Sequence, residues 1–235
     1  MLQQHPIISV IIPTLNEAQG IVSLLATLAP VRAAGGETLV VDGDSSDGTA
    51  GIAAPHADRV LSAPRGRAAQ MNAGAVAARG DLLVFLHADT RPPIETLLCL
   101  PDLLARSGRS WGRFDVRIDG RHPLLPLVAW SMNQRSRLTG IATGDQAIFV
   151  DRALFERVGG YLEIALMEDI ALSRELKHHG PPLCVRNPVV TSGRRWESKG
   201  VVRTVLLMWS LRLAYALGVY PDRLSRIYGH RSRPD

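Results

Sequence analysis

At 235 residues, with 46% hydrophobic side chains and a formal charge of +5, the chain can bury one sizeable core or two small ones, and nothing in it has the composition of a disordered tail. Its two cysteines, Cys99 and Cys184, lie far apart without metal-like spacing, which excludes a disulfide framework and a thiolate zinc site and fits a reducing, cytoplasmic setting. The charge is lopsided. From Arg186 onward ten basic side chains stand against three acidic ones, while the remainder is slightly acidic. An anionic partner at the C-terminal end is one reading of that asymmetry; a plain preference for arginine, with Lys177 and Lys199 as the only lysines, is the other. Residues 1–6 carry no basic stretch and the apolar run after them is short and broken by Pro13, so no signal peptide is expected.

In chain order, residues 7–12 are β-branched and apolar and predict a strand stopped by Pro13. Thr14 to Glu17 then form a loop into a helix, because Ile21, Leu24, Leu25 and Leu28 recur at helical spacing, and Gly35-Gly36 closes that unit. A second strand, 38–41, ends in Asp42-Gly43-Asp44-Ser45-Ser46-Asp47-Gly48-Thr49, a loop dense in short acceptors. A short strand over 59–62 leads through Pro64-Arg65-Gly66-Arg67 to a helix of small residues over 68–78. A glycine beside arginines at a helix start suits a phosphate cradle, or simply an exposed basic turn. The continuous apolar run from Leu82 reads as a strand buried on both faces, tipped by His87-Ala88-Asp89-Thr90. Strand, polar tip, helix, strand, polar tip is a βαβ rhythm. It predicts an α/β fold with parallel strands whose tips share one edge, where open α/β sheets bind ligands.

Four ordered motifs carry a resemblance: Pro13-Thr14-x-Asn16-Glu17, then Asp42-Gly43-Asp44-Ser45-x-Asp47-Gly48-Thr49, then Arg65-Gly66 with Asn72 and Gly74, then His87-Ala88-Asp89. In that order and spacing the chain resembles the family 2 glycosyltransferases, over about residues 7–200. The resemblance implies a GT-A fold: a single Rossmann-like, mainly parallel mixed sheet flanked by helices. It further implies a nucleotide-diphosphate sugar donor and a divalent cation, Mn²⁺ or Mg²⁺. On that reading Pro13, Thr14, Asn16 and Glu17 line the nucleotide pocket, and Asp42, with Asp44 in the same motif, recognises the base by accepting an imino N–H. Arg65 stacks on the base or pairs with phosphate, with Gly66 and Asn72 in the same motif. Asp89 matches the last carboxylate of the family's D-x-D motif and binds the cation. His87 stands where that motif has its first Asp; it either hydrogen-bonds the ribose or adds a nitrogen ligand, which would favour Mn²⁺.

Beyond Asp89 the chain predicts a helix and then a strand over 112–118, an amphipathic helix or loop over 123–138, and a loop entering a strand over 143–150. By the same resemblance Gly144, Asp145 and Gln146 lie on the acceptor side, and the Gly159-Gly160-Tyr161 turn leads to the acid pair Glu168-Asp169. Asp169 is expected to cap a helix over 170–178, which favours its ionised form, and to serve as the general base of an inverting transfer to an acceptor hydroxyl. Thr191 to Trp196 resembles the Q-x-x-R-W motif without its Gln; Arg194 or Arg195 would reach the diphosphate, and Trp196 would stack on a sugar or sit in the core.

Residues 201–219 are apolar for nearly a bilayer's width but interrupted by Arg203 and Arg212, so Val205, Met208, Trp209, Leu213 and Ala216 are read as the stripe of a packed helix. This organisation gives a catalytic domain over 1–200, with a nucleotide half (1–90) and an acceptor half (91–200), and a helix with a basic tail over 201–235. The last helix would meet the domain, a second subunit in a homodimer, or the inner face of a membrane carrying a lipid-linked acceptor. The whole chain also resembles short bacterial family 2 enzymes of the arsenosugar-biosynthesis type. A nucleotidyltransferase is disfavoured by the absence of a Gly-rich basic loop after the first strand, and a non-catalytic nucleotide-sugar-binding protein is the remaining alternative. Nucleic acid is not expected as a partner, since the basic tail interleaves no aromatics beyond Tyr220 and Tyr228.

Overall fold

The computed structural model describes residues 7–228. Strand β1 (Ile8–Thr14) is buried along its whole length, as a strand covered on both faces must be. Helices α1 (Ile21–Thr27) and α2 (Ala29–Ala33) lead to β2 (Glu37–Asp42), also fully buried. Next come α3 (Thr49–Ala53), β3 (Arg59–Ser62) and α4 (Arg67–Ala77). The small residues of α4 let it lie close on the sheet: a Cβ built on Gly74 would fall 2.4 Å from Ile11 Cγ2. Strand β4 (Leu82–Phe85) is shorter than its apolar run, because the chain turns at Leu86 to Asp89, where Thr90 N–H donates to His87 O at 3.0 Å, before the two-residue β5 (Thr90–Arg91).

Where one helix is expected after β5 there are two, α5 (Ile94–Leu98) and α6 (Leu100–Ser107); Pro101 in the first turn of α6 has no N–H to continue the ladder and restarts the helix. Strand β6 (Trp111–Asp119), helix α7 (Leu125–Thr139), strand β7 (Ile148–Asp151) and helix α8 (Arg152–Arg157) follow. The chain continues as α9 (Glu168–Lys177), β8 (Leu183–Ser192), α10 (Arg194–Lys199), α11 (Val201–Ala216) and α12 (Pro221–Tyr228).

The eight strands form one sheet in the order β3-β2-β1-β4-β7-β6-β8-β5. β1 runs parallel to β2 and β4, and β2 parallel to β3; β7 is antiparallel to β4 and to β6, while β6 and β8 are parallel. Two reversals cancel, so β6 and β8 point the same way as β1, β2 and β4. The carboxyl ends of all five, and the loop entering β7, therefore meet at one edge. Side-chain alternation splits the core between the two faces: Val10, Ile12 and Val84 on one, Ile11, Val41, Leu83 and Phe85 on the other.

The C-terminal helices cover the acceptor half. Leu211 of α11 and Leu224 and Tyr228 of α12 pack with Leu166, Met167 and Ile170. This corrects part of the expected stripe: Met208 packs against that cluster and Val205 is half-buried, but α11 turns Val201, Thr204 and Leu211 inward, while Trp209, Leu213 and Ala216 face out, because the helix is oriented by α12 and the segment ahead of α9. No helix among the described residues is long and apolar enough to cross a membrane. Arg231 and Arg233 of the basic tail lie outside the described residues.

Candidate active site

An open cleft of about 2240 Å³ runs along the carboxyl edge of the sheet. Its walls include Pro13, Thr14, Glu17, Arg65, Gly66, His87, Asp89, Asp145, Glu168, Arg195 and Trp196. Eleven of the expected site residues thus share one space. Asn16, Asp42, Asp44, Asn72, Gly144, Gln146, Asp169 and Arg194 stand beside or behind those walls, and their contacts explain what holds them there.

The N-terminal rim is two loops laced together. Asp42 Oδ1 accepts from Thr14 Oγ1 (3.2 Å) and Ser45 Oγ (2.6 Å), and its Oδ2 accepts from Ser45 N–H (2.8 Å). Asn16, at φ +57°, a backbone region that asparagine tolerates, donates its N–H to Ser45 Oγ and accepts from Ser46 N–H, each at 2.9 Å. Asp47 accepts from Ala18 and Thr49, and Glu17 N–H donates to Thr49 Oγ1. Gln70 crosses beneath: its Nε2 donates to Thr14 O (2.8 Å) and Val41 O (2.7 Å), tying α4 to both strands. Arg65 and Asp44 face each other on the exposed outer side, Arg65 Nη2 donating to Asp44 O at 3.0 Å. Asn72 points away from the cleft and pins the glycine turn, donating to Tyr161 O (2.8 Å) and accepting from Tyr161 N–H (2.9 Å).

At the centre, His87 Nδ1 lies 3.3 Å from Asp145 Oδ1. Burial alone would lower the imidazole's pKa, but Asp145 outweighs it and holds His87 above its ordinary 6.5; His87 in return keeps Asp145 below its ordinary value against burial. Gly144 is glycine for a packing reason, since a Cβ there would fall 2.4 Å from His87 Nε2. Gly144 N–H donates to Asp169 Oδ2 at 3.0 Å, and Ile170 N–H to Asp169 Oδ1 at 2.7 Å. Asp169 is not the helix cap that the sequence suggests. Met167, at φ +72°, caps α9 two residues earlier than that, which places Asp169 inside the first turn, half-buried, where it still meets the positive end of the helix. The early start also sends Glu168 inward, where Arg67 Nε reaches its Oε1 at 2.7 Å. Burial raises the Glu168 carboxyl despite Arg67, and Glu168 with Asp169 holds the Arg67 guanidinium up against its own burial.

Strand β8 delivers the third side. Thr90 Oγ1 donates to Thr191 Oγ1 (2.9 Å) and Ser192 N–H to Asp89 O (3.2 Å), so Arg194 emerges beside Asp89 and reaches Glu17 at 3.7 Å. Glu17 is pushed up by burial and by the nearby Asp89, with Arg194 pulling the other way. Arg195 lies 4.1 Å over the Tyr228 ring, and Trp196 packs against the cluster of Ile118, Leu125 and Val201. Gln146 is fully buried behind the loop, its side-chain oxygen accepting from Thr143 N–H at 3.3 Å.

Among the described residues no three side chains of His, Cys, Asp or Glu converge as a cation cage. Hard cations in phosphate sites are held by one or two carboxylates together with substrate phosphates, and the exposed Asp89 fits a cation that enters with a diphosphate. His87 is poorly disposed to help, with Nδ1 facing Asp145 and Nε2 crowded by Gly144. Arg67, expected only as part of a basic turn at a helix start, instead pairs with Glu168, and Gln70, a polar side chain on a largely apolar helix, ties α4 to two strands.

Residues 9–155 match the profile of a family described as glycosyl transferase family 2. An uncharacterized glycosyltransferase of Mycobacterium tuberculosis is 36% identical over 83 residues, which span 35% of this chain and 36% of that one. The match thus covers about a third of the curated relative's length. Among solved structures, a mannosyltransferase from Pyrobaculum calidifontis in complex with GDP-Man and Mn²⁺ superposes with a TM-score of 0.64 at 21% identity, covering 99% of this chain and 67% of that one. Glucosyl-3-phosphoglycerate synthase from Mycobacterium tuberculosis, in complex with Mn²⁺, UDP and glucosyl-3-phosphoglycerate, gives 0.62 at 21%, covering 86% and 78%.

Proposed function

The chain belongs to glycosyl transferase family 2, and from that premise we propose that it transfers a sugar, with inversion, from a UDP- or GDP-linked donor to an acceptor hydroxyl, with Asp169 as general base. The observation that supports this reading is that Gly144, whose N–H donates to Asp169, packs against the imidazole of His87, two residues from Asp89. The donor lies against the laced rim, its nucleoside near Thr14 and Glu17 and its diphosphate toward Asp89, the open start of α4 at Gly66, and Arg194. Asp89 would hold a divalent cation, which would supply charge to offset that of the departing diphosphate.

Asp169 receives two backbone N–H bonds, which orient the carboxylate while leaving a lone pair on each oxygen for the incoming hydroxyl. The hydroxyl proton passes to Asp169, the new bond forms between its oxygen and the anomeric carbon, and the bond from that carbon to the diphosphate oxygen breaks on the opposite face. Glu168, neutralised by Arg67, packs beneath and fixes the start of α9.

The acceptor enters between α7 and α11. Leu127 and Trp130 of α7 and Val202, Leu206 and Trp209 of α11 are exposed and line the same cleft, and Leu213 and Leu217 continue the outer apolar face of α11. With exposed Arg203, Arg223 and Arg226 around them, these side chains suit an anionic bilayer surface near a lipid-linked acceptor, the two tryptophans at headgroup depth.

Incubation with UDP- and GDP-sugars plus Mn²⁺ tests the reading: transfer or slow donor hydrolysis is expected, and release of pyrophosphate from a nucleoside triphosphate instead would overturn it. Asp169→Asn is expected to lower turnover by about 10²–10⁴-fold with nucleotide affinity held within a few-fold. Undiminished turnover in that variant removes the base assignment.

A further inference from the structure

Behind Asp169 three arginines from separate elements come together: Arg113 of β6, Arg135 of α7 and Arg212 of α11. Arg113, fully buried, has its charge paired, although its Nε has no hydrogen-bond partner among the described residues. It pairs with Asp115 and donates from Nη2 to Asn133 O at 3.1 Å. Asp115 is shared with Arg137 at 2.5 Å, so its single charge already faces two cations. Arg135 Nη2 and Arg212 Nε are buried with no hydrogen-bond partner among the described residues, and neither guanidinium makes an ion pair there. The carboxylate they both feel is Asp169, which accepts one N–H from Gly144 and one from Ile170 and makes no hydrogen bond to either arginine among the described residues.

Burial, and then Arg212, pull the Arg135 pKa down to about 10, and burial lowers Arg212 despite Asp169 and Asp145. Arg135 and Arg212 are both partly buried and repel each other, and an anion beside them would relieve that repulsion. Arg212 lies in the cleft wall, so that anion has a way in. The expected diphosphate position has its own arginine in Arg194, which pairs with Glu17. Guanidinium forks match phosphate oxygens bidentately, and a phosphate monoester brings a charge of about −2 at neutral pH, which balances two cations where a single carboxylate would not.

We propose that Arg135 and Arg212 form a phosphate subsite on the acceptor side of the cleft, and that the acceptor carries a phosphate monoester within reach of the hydroxyl that meets Asp169. This rests on the transferase reading above and adds to it the class of the acceptor.

The test is calorimetric titration of inorganic phosphate into the full chain saturated with UDP or GDP, whichever binds, beside Arg135→Gln and Arg212→Gln. Phosphate is expected to bind with the nucleotide present, and each variant to weaken it at least tenfold while nucleotide affinity stays within a few-fold. Phosphate that competes with the nucleotide, fails to bind the nucleotide-saturated wild-type protein, or binds the variants equally well overturns the subsite and leaves the donor site standing. Phosphate binding by a protein that takes no nucleotide overturns the transferase reading instead. Soluble and lipid-borne monoesters share this chemistry, and parallel arms with glycerol 1-phosphate and with phosphatidic acid vesicles identify the source as the one whose binding the two variants weaken.

Discussion

Along the N-terminal rim of the cleft Asp42 receives three hydrogen bonds and Asn16 answers Ser45 and Ser46, whereas on the C-terminal wall Arg135 Nη2 and Arg212 Nε have no partner among the described residues and a row of large apolar side chains faces outward. The rim is complete before any ligand arrives. Its loops need little ordering when a nucleotide docks, so most of the contact free energy is available as affinity. The wall is incomplete, and its guanidiniums and apolar helix faces gain their compensation only when something covers them. The cleft thus joins a hydrogen-bonded half to a half with unpartnered guanidinium N–H groups, among the described residues, and exposed apolar side chains.

The contrast is tested hardest at Asp42. Asp42→Ala removes one buried carboxylate from three donors, and we expect a loss of about 3 kcal/mol in denaturant unfolding, with nucleotide affinity falling alongside. An Asp42→Ala protein of unchanged stability would show that the rim is not self-supporting. On the wall the expectation is reversed. Replacing exposed Leu206 and Trp209 by Ser together should leave unfolding within about 0.5 kcal/mol of wild type. Flotation with anionic vesicles should fall roughly a hundredfold in affinity, since each side chain contributes about 1.5 kcal/mol or more on burial. If vesicle binding persists, or if sedimentation shows a dimer that the same pair of substitutions dissociates, the outer face of α11 meets a second copy and not a bilayer.

The sequence made the rim legible and left the wall obscure for one physical reason. Rim chemistry is local: a strand, its polar tip and the next helix lie within a few residues, so apolar runs and Gly/Asp loops announce β1, β2 and the turn after β4, and even Arg59–Ser62 reads correctly as a strand. The wall depends on which face of a helix meets which neighbour. Nothing in residues 201–219 says that α12 and the Leu166–Ile170 segment will draw Leu211 inward and turn Trp209 and Leu213 out. Asn72 is instructive in the other direction: resemblance assigned it to the nucleotide, while its side chain holds the Tyr161 backbone from below. Its partner is 89 residues away, and no periodicity encodes that.

Rim and wall are joined at Gly144, and two smaller effects test the joint. Gly144→Ala drives a methyl group to within 2.4 Å of His87 Nε2, so either the imidazole or the loop shifts. Overpacking of this kind costs about 1–3 kcal/mol, and because Gly144 N–H also orients Asp169, turnover should fall more than nucleotide affinity does. Equal losses in both would mean that the glycine serves the rim alone.

His87→Gln gives the smallest effect and the most specific signature. Asp145 is two-fifths exposed, so solvent screens the pair and its contribution is about 1 kcal/mol, or roughly 2–4 °C in the unfolding midpoint. The sign follows from the two shifts. His87 is raised, so its contribution is fully present below 6.5 and is lost as pH rises through the folded-state value; Asp145 is lowered, so its contribution is present above 3.8 and is lost as pH falls through its own folded-state value. The stability gap between wild type and His87→Gln should therefore be widest between about pH 4 and 6.5 and narrow on either side. A gap that stays constant from pH 5 to 9 would mean that His87 joins the two halves by its shape, through Gly144, and that its charge plays no part.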